Sequence, residues 1–264
     1  MKLFGWLTKK SKEEKDVEQA APSNATSTGY VSGFSTTVTE HTGVNDGYTV
    51  SDSYSSGAGA STIQTSSRKS SLHILIDNGH GADTQGKRSP DGRLLEYKYA
   101  REVAKDIVTQ LKARGYYASL LVSEENDVTI RERVRRVNAA CKKVGATNVL
   151  LVSVHCNAAG SDGKWHDARG WQACVSMNAS VRSMKLAECL ADAALMYGLK
   201  LRKPTPTQKW WQQNIGICRD TNCPAVLTEN LFMDNKDDVA YLLTKEGRQA
   251  IVNVHVKGIM GYIG

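Results

Sequence analysis

The chain has 264 residues, 41% of them apolar, and carries 34 lysines and arginines against 27 acidic residues, a formal charge of +7. That length allows one good-sized domain with an appendage, or two small ones, and the positive balance suits an anionic partner such as nucleic acid, a membrane surface or a bacterial wall without choosing among them. No Lys/Arg tract interleaved with aromatics argues for nucleic acid, no apolar run approaches the ~20 residues of a membrane helix, and no pair among the six cysteines has the short spacing of a zinc ribbon or redox motif.

Residues 1–21 are charged, with a helical tendency, and open on a short apolar patch, Leu3 to Leu7, too brief for a secretory core. Residues 22–70 are dominated by Ser, Thr and Gly. Such a composition buries too little apolar surface to offset chain entropy, so it reads as a disordered, flexible arm, the alternative being a small β-element between Tyr30 and Tyr54. The folded domain is expected over residues 71–264.

From residue 71 strands alternate with helices, which argues for an α/β sandwich around a central sheet. The apolar run Leu72 to Ile76 stops at Asp77-Asn78-Gly79-His80-Gly81. Taken alone, this is equally a strand with a surface histidine or one that delivers an imidazole to an open edge, with glycines leaving space beside the ring. A helix is expected from about Leu94 to Arg114, stopped by Gly115; Ala100, Val103, Ala104, Ile107, Val108 and Leu111 share one face, and Glu96 falls near it, turned inward on the first turn. The alternative for Glu96 is a favourable place near the positive end of the helix dipole. A strand from Tyr116 to Val122 follows, then a capping box, Thr129 to Glu132, that opens a basic helix to Val144; its arginines 131, 133, 135 and 136 form a solvated face from which one can bridge inward.

The second apolar run, Val149 to Val154, ends on His155, and the third, Ala225 to Thr228, ends on Glu229. Between them lie a loop carrying Asn157 and His166, a strand Trp171 to Met177, a helix Ser180 to Tyr197, and an irregular stretch, 202–216, whose Trp210-Trp211 pair lines a groove or packs in the core. A short helix to Leu243, capped by Asp234 or Asn235, and a last helix, Gly247 to Met260, close the domain. Cys156 adjoins His155, but neighbours on a strand face opposite ways, so it is expected to point away from any ion there.

Three strands that each end on a metal-type or acid/base residue are hard to produce by chance in a chain with 6 histidines. A hydrolytic zinc site wants three protein ligands and a water, and two histidines with a carboxylate are a recurring set. His80, Glu96 and His155 fit, because parallel strands align their C-terminal ends along one edge. Glu229 would then take a proton from water and return one to the leaving nitrogen. His73 starts a strand, His255 lies inside the last helix and His41 is in the arm; His166 remains a substrate contact or second proton donor. Neither His-Glu-x-x-His nor Gly-x-Ser-x-Gly occurs.

Asp77 to Gly81, Glu96, Val152-Ser153-Val154-His155-Cys156-Asn157-Ala158, and Pro224 to Glu229 with Asp234-Asn235 resemble the zinc-dependent N-acetylmuramoyl-L-alanine amidases of the Amidase_3 type. The resemblance covers residues 72–262 with four blocks in the right order. It implies a three-layer α/β fold with a six-stranded mixed sheet flanked by helices, one zinc ion held by His80, Glu96 and His155, catalysis by Glu229, and peptidoglycan as substrate. The bond cleaved would be the amide between the lactyl group of N-acetylmuramic acid and L-alanine. Asn157 and Arg219 correspond to positions that border the site. Departures are Asn78 for a frequent proline, Cys156 for alanine and Leu231 for a glycine soon after the glutamate. The short loops between His155 and Glu229 leave no room for an inserted autoinhibitory helix, so an open site is expected.

With no recognisable signal peptide, the expectation is a monomeric, endolysin-like lysis enzyme made in the cytoplasm that reaches the wall, periplasmic or extracellular, after release. The competing readings are a wall-binding or virion structural protein with an enclosed structural zinc, and a zinc peptidase acting on wall cross-links.

Overall fold

Six strands, β1 (His73–Asn78), β2 (Tyr117–Leu120), β3 (Val149–Asn157), β4 (Gln172–Ser176), β5 (Trp210–Gln213) and β6 (Ala225–Phe232), form one sheet in the order β2-β1-β3-β6-β4-β5. The computed structural model describes residues 71–264; segment 1–21, the arm 22–70 with its Tyr30–Tyr54 stretch, and His41 lie outside the described residues. β2, β1, β3 and β6 run parallel, whereas β4 is antiparallel to β6 and parallel to β5, so the sheet is mixed as expected. The parallel set brings the C-terminal ends of β1, β3 and β6 to one edge, and the reversed β4 begins at that same edge.

The helices are α1 (Glu96–Ala113), α2 (Ile130–Val144), α3 (Val181–Met196), α4 (Gly216–Arg219), α5 (Lys236–Leu242) and α6 (Lys245–Ile263). α1, α3 and α6 pack on one sheet face against Ile74, Ile76, Leu150, Val152 and Val154. The opposite face, with Leu75, Val149, Leu151, Ala225 and Leu227, meets Val137 and Cys141 of α2 and Ile217 and Cys218 of α4. Alternate residues of β3 thus feed two cores, which is why its sequence is almost continuously apolar. The Thr129 hydroxyl accepts the Glu132 N–H, closing the cap foreseen for α2. All six cysteines are free. Among the described residues no helix is long and apolar enough to cross a membrane.

The structure corrects the sequence reading in places. Trp210 to Gln213, expected to be irregular, form the edge strand β5. Trp210 packs towards one core and Trp211 towards the other. β6 continues past Glu229 to Phe232, with Leu231 in the left-handed region at φ +67°. α1 begins at Glu96 rather than Leu94. Of the α2 arginines, Arg133 turns inward and is 2% exposed, while Arg135 and Arg136 pair with Glu132.

Candidate metal centre

The turn after β1 presents the first imidazole. His80 has φ +59°, a strained value for a non-glycine residue. Its carbonyl is gripped by Arg101 Nη1 at 2.9 Å and Arg133 Nη2 at 3.4 Å. The neighbouring glycines are there because space is short. A Cβ on Gly79 would lie 2.3 Å from the His155 ring, and one on Gly81 would lie 1.9 Å from the Asp127 nitrogen.

Glu96, 1% exposed, stands between the two histidines. Its Oε2 is 3.4 Å from His80 Nε2 and its Oε1 3.2 Å from His155 Nδ1. The two rings lie edge to face, with centroids 5.1 Å apart. One potential ligand atom from each of the three residues falls within 4.8 Å of the others, so together they can hold a metal ion. Cys156 points its thiol into the opposite core, as expected, but its backbone N–H donates to Glu96 Oε1 at 3.0 Å.

The surroundings of His155 test whether a cation fits. Ser153, two residues earlier and therefore on the same strand face, lies 3.2 Å from His155 Nε2, and its hydroxyl donates to Asp77 Oδ2 at 2.5 Å. With the Ser153 proton committed to a carboxylate, Ser153 Oγ accepts from His155 Nε2–H, and the Nδ1 lone pair faces Glu96. A proton or a metal ion must sit between that lone pair and the carboxylate. Burial disfavours the imidazolium, but the adjacent Glu96 outweighs it and raises the His155 pKa. His80 is pushed the other way by burial, down to about 4, and is neutral at pH 7. Burial also works against ionised Glu96, but the imidazoles and the Cys156 N–H prevail and its pKa is lowered. A carboxylate whose buried Oε2 makes no hydrogen bond, beside a neutral imidazole, is a donor set suited to a divalent ion.

Glu229 is held in register beside His155 across the β3–β6 pairing. Burial pushes its carboxyl up to about 7, and its Oε2 has no hydrogen-bond partner. A carboxylate poised near neutrality is what a proton shuttle needs. The next residue, Asn230, is fully buried and ties this strand end together: its amide donates to the His155 carbonyl at 2.9 Å, and its Oδ1 accepts from Trp171 Nε1 at 2.8 Å. A cavity of about 220 Å³ opens beside the histidines, lined by Gly79, Asp127, Ile215 and Leu227 among others. The His80 and His155 side chains keep 20% and 17% exposure.

The weaker candidates lie further out. Asn157 ends β3, and its side chain accepts from Ala158 N. His166 is 2.9 Å from Asp162, in a loop whose backbone is bound to Asp234 and Asn235. Arg219 is engaged by Asp220 and Asn214 and lines a different cavity, beside Asn178 and Thr147. His73 pairs with Ser119, and His255 is buried inside α6. Asp77, Ser153, Arg133 and Asn230 were missed as site residues by sequence reasoning. For Ser153 a signal existed, a polar residue two before His155 inside an otherwise apolar run.

The family model for N-acetylmuramoyl-L-alanine amidase matches residues 74–260. Among curated proteins, the endolysin of Bacillus phage SPP1 is 27% identical over 188 residues, spanning 70% of this chain and 64% of that protein. A probable cell wall amidase, LytH, of Staphylococcus saprophyticus is 26% identical over 72% of this chain and 57% of its own length. The amidase CwlM of Bacillus licheniformis is 28% identical, covering 71% of this chain and 67% of that protein. The chain thus spans less than two thirds of the first two relatives. Among solved structures, the amidase Ami1 from Mycobacterium smegmatis shares the fold, with TM-score 0.64 at 19% identity, over 74% of this chain and 98% of that one.

Proposed function

The chain belongs to the N-acetylmuramoyl-L-alanine amidase family, and from that premise we propose that residues 71–264 hydrolyse the amide joining the lactyl group of N-acetylmuramic acid to L-alanine in peptidoglycan. The observation that carries the reading is the meeting of His80, Glu96 and His155, with Glu229 beside His155 on the next strand. The ion proposed is zinc, one per chain, held by these three side chains; when bound it would acidify water and polarise the substrate carbonyl.

The protein's own groups do the rest. Glu229 accepts the proton of the attacking water and delivers one to the departing nitrogen, both within reach of a single carboxyl near neutrality. Ser153 and Asp77 hold the His155 ring in one tautomer. Asn230 fixes the strand ends that carry His155 and Glu229 relative to each other. Similarity to a phage endolysin and to cell wall amidases supports the wall as the place of action and a lytic role.

The test uses purified walls and the full chain. Glu229→Gln should retain one equivalent of zinc and a native melting curve while losing about 10²- to 10⁴-fold in kcat. Mass spectrometry of the wild-type digest should find stem peptides with a free L-alanine amine. Equal activity of the variant would remove Glu229 from the chemistry, and release of peptides cut elsewhere would point to the cross-link peptidase.

A further inference from the structure

Arg202 stands at the site edge of the sheet without having been assigned a task. Its backbone N–H donates to the Trp171 carbonyl at 2.8 Å. That places it beside the start of β4, whose first residue, Gln172, is paired in register with Glu229. Its Nη1 lies 3.4 Å from Gln172 Oε1, so the guanidinium is at the next strand over from the proposed base.

The way this arginine is held is unusual for an exposed cation. Its Cζ sits 5.5 Å from the Trp211 ring and 5.4 Å from the Phe232 ring. Trp211 Nε1 also donates to the Arg202 carbonyl at 2.8 Å. Among the described residues no carboxylate comes within ion-pair distance of it, which is also so for Arg88, Arg101, Arg114, Arg131 and Arg182; what sets Arg202 apart is that two aromatic rings hold it. The side chain is thus fixed by aromatic faces while its donor edge carries no anion. Rotamer freedom is already spent, and the planar fork matches a carboxylate bidentately.

We propose that Arg202 binds a free carboxylate on the peptide side of the scissile amide, so that the site prefers stem peptides with an acid at that place over those with a carboxamide. This rests on the amidase reading above. Strand spacing of about 4.8 Å puts Arg202 roughly 10 Å from Glu229, two to three extended residues of peptide. The lactyl carboxyl of the sugar is itself tied up in the amide being cut, so the anion must come from the peptide.

The experiment compares two synthetic muramoyl peptides that differ only in a free carboxylate or a carboxamide on the residue after L-alanine. Hydrolysis by the wild type, Arg202→Met and Arg202→Lys is followed, and binding of the two corresponding free peptides is measured by calorimetry. The wild type should favour the acid by about tenfold to a hundredfold in kcat/KM, carried by KM. In Arg202→Met the ratio should fall to about one, and Arg202→Lys should recover part of it. A wild type indifferent to the substitution, or a preference that survives in Arg202→Met, overturns the proposal. If neither muramoyl peptide is cut, the amidase reading fails, and the calorimetric preference and its loss in Arg202→Met still decide the role of Arg202.

Discussion

Ser153 Oγ decides which nitrogen of His155 is left to face Glu96, because its own proton is committed to Asp77. Outer partners of this kind are worth about 10- to 100-fold in metal affinity. Ser153→Ala should therefore weaken the proposed zinc binding by that much in a chelator competition, and, because it leaves Asp77 Oδ2 and the His155 N–H buried without their partner, should also cost the metal-free protein about 1–3 kcal/mol in urea unfolding, a loss that Ser153→Thr should largely restore. Leu231 poses a different question. Its φ of +67° explains why glycine suits the place, yet its side chain is 5% exposed. Relieving the backbone is worth roughly 1–2 kcal/mol, whereas removing a buried leucine costs about 2–5 kcal/mol. Packing wins, so Leu231→Gly should lower stability by about 2 kcal/mol in urea unfolding. His80, His155 and Glu229 were legible from sequence because each closes an apolar run, although His80 lies just beyond β1 and both β3 and β6 continue past their histidine and glutamate, to Asn157 and Phe232. Arg202 was not legible, since a stacked cation in a polar stretch has no signature along the chain.

At the level of elements, α2 is joined to β1 mainly by one buried cation. Its apolar contribution is thin, with only Val137 and Cys141 buried besides Arg133. Arg133 compensates by reaching Asp77 at 2.5 Å, Asp127 at 2.9 Å, and the carbonyls of Asn78 and Val128. Removing the guanidinium strands a buried Asp77 and costs about 3–5 kcal/mol. Arg133→Met should show that loss in chemical denaturation, and the penalty should shrink in the Arg133→Met, Asp77→Asn double variant. β1, β3, β6 and the long helices could be read from sequence because each buries a whole face. β5 could not, because half-exposed Trp-Trp-Gln-Gln at a sheet edge lacks either periodicity. α4 is too short at four residues to show one.

For the molecule as a whole, acid sensitivity follows from a histidine on α6 that is not among the proposed metal ligands. His255 is fully buried in α6 between Thr228 and the Ile251 carbonyl, and burial pushes its pKa down to about 4. The unfolded chain takes up a proton below about 6.5 that the folded chain refuses. This contribution is complete above pH 6.5 and is lost as the pH falls towards 4, by about 3 kcal/mol. The unfolding free energy of His255→Gln, measured from pH 7 to 4, should decline less steeply than that of the wild type.

The sheet order has a kinetic corollary. β6 slots between β3, which precedes it by some 70 residues, and β4, which it meets head to tail. Bringing such remote segments together is slow, since loop closure comes before any reward. Glu229 can reach His155 only once that insertion is complete. A half-refolded chain can hold β2-β1-β3 and β4-β5 as two separate pieces and still lack the site, so the proposed activity would arrive in a single late event rather than accumulate as the polypeptide condenses.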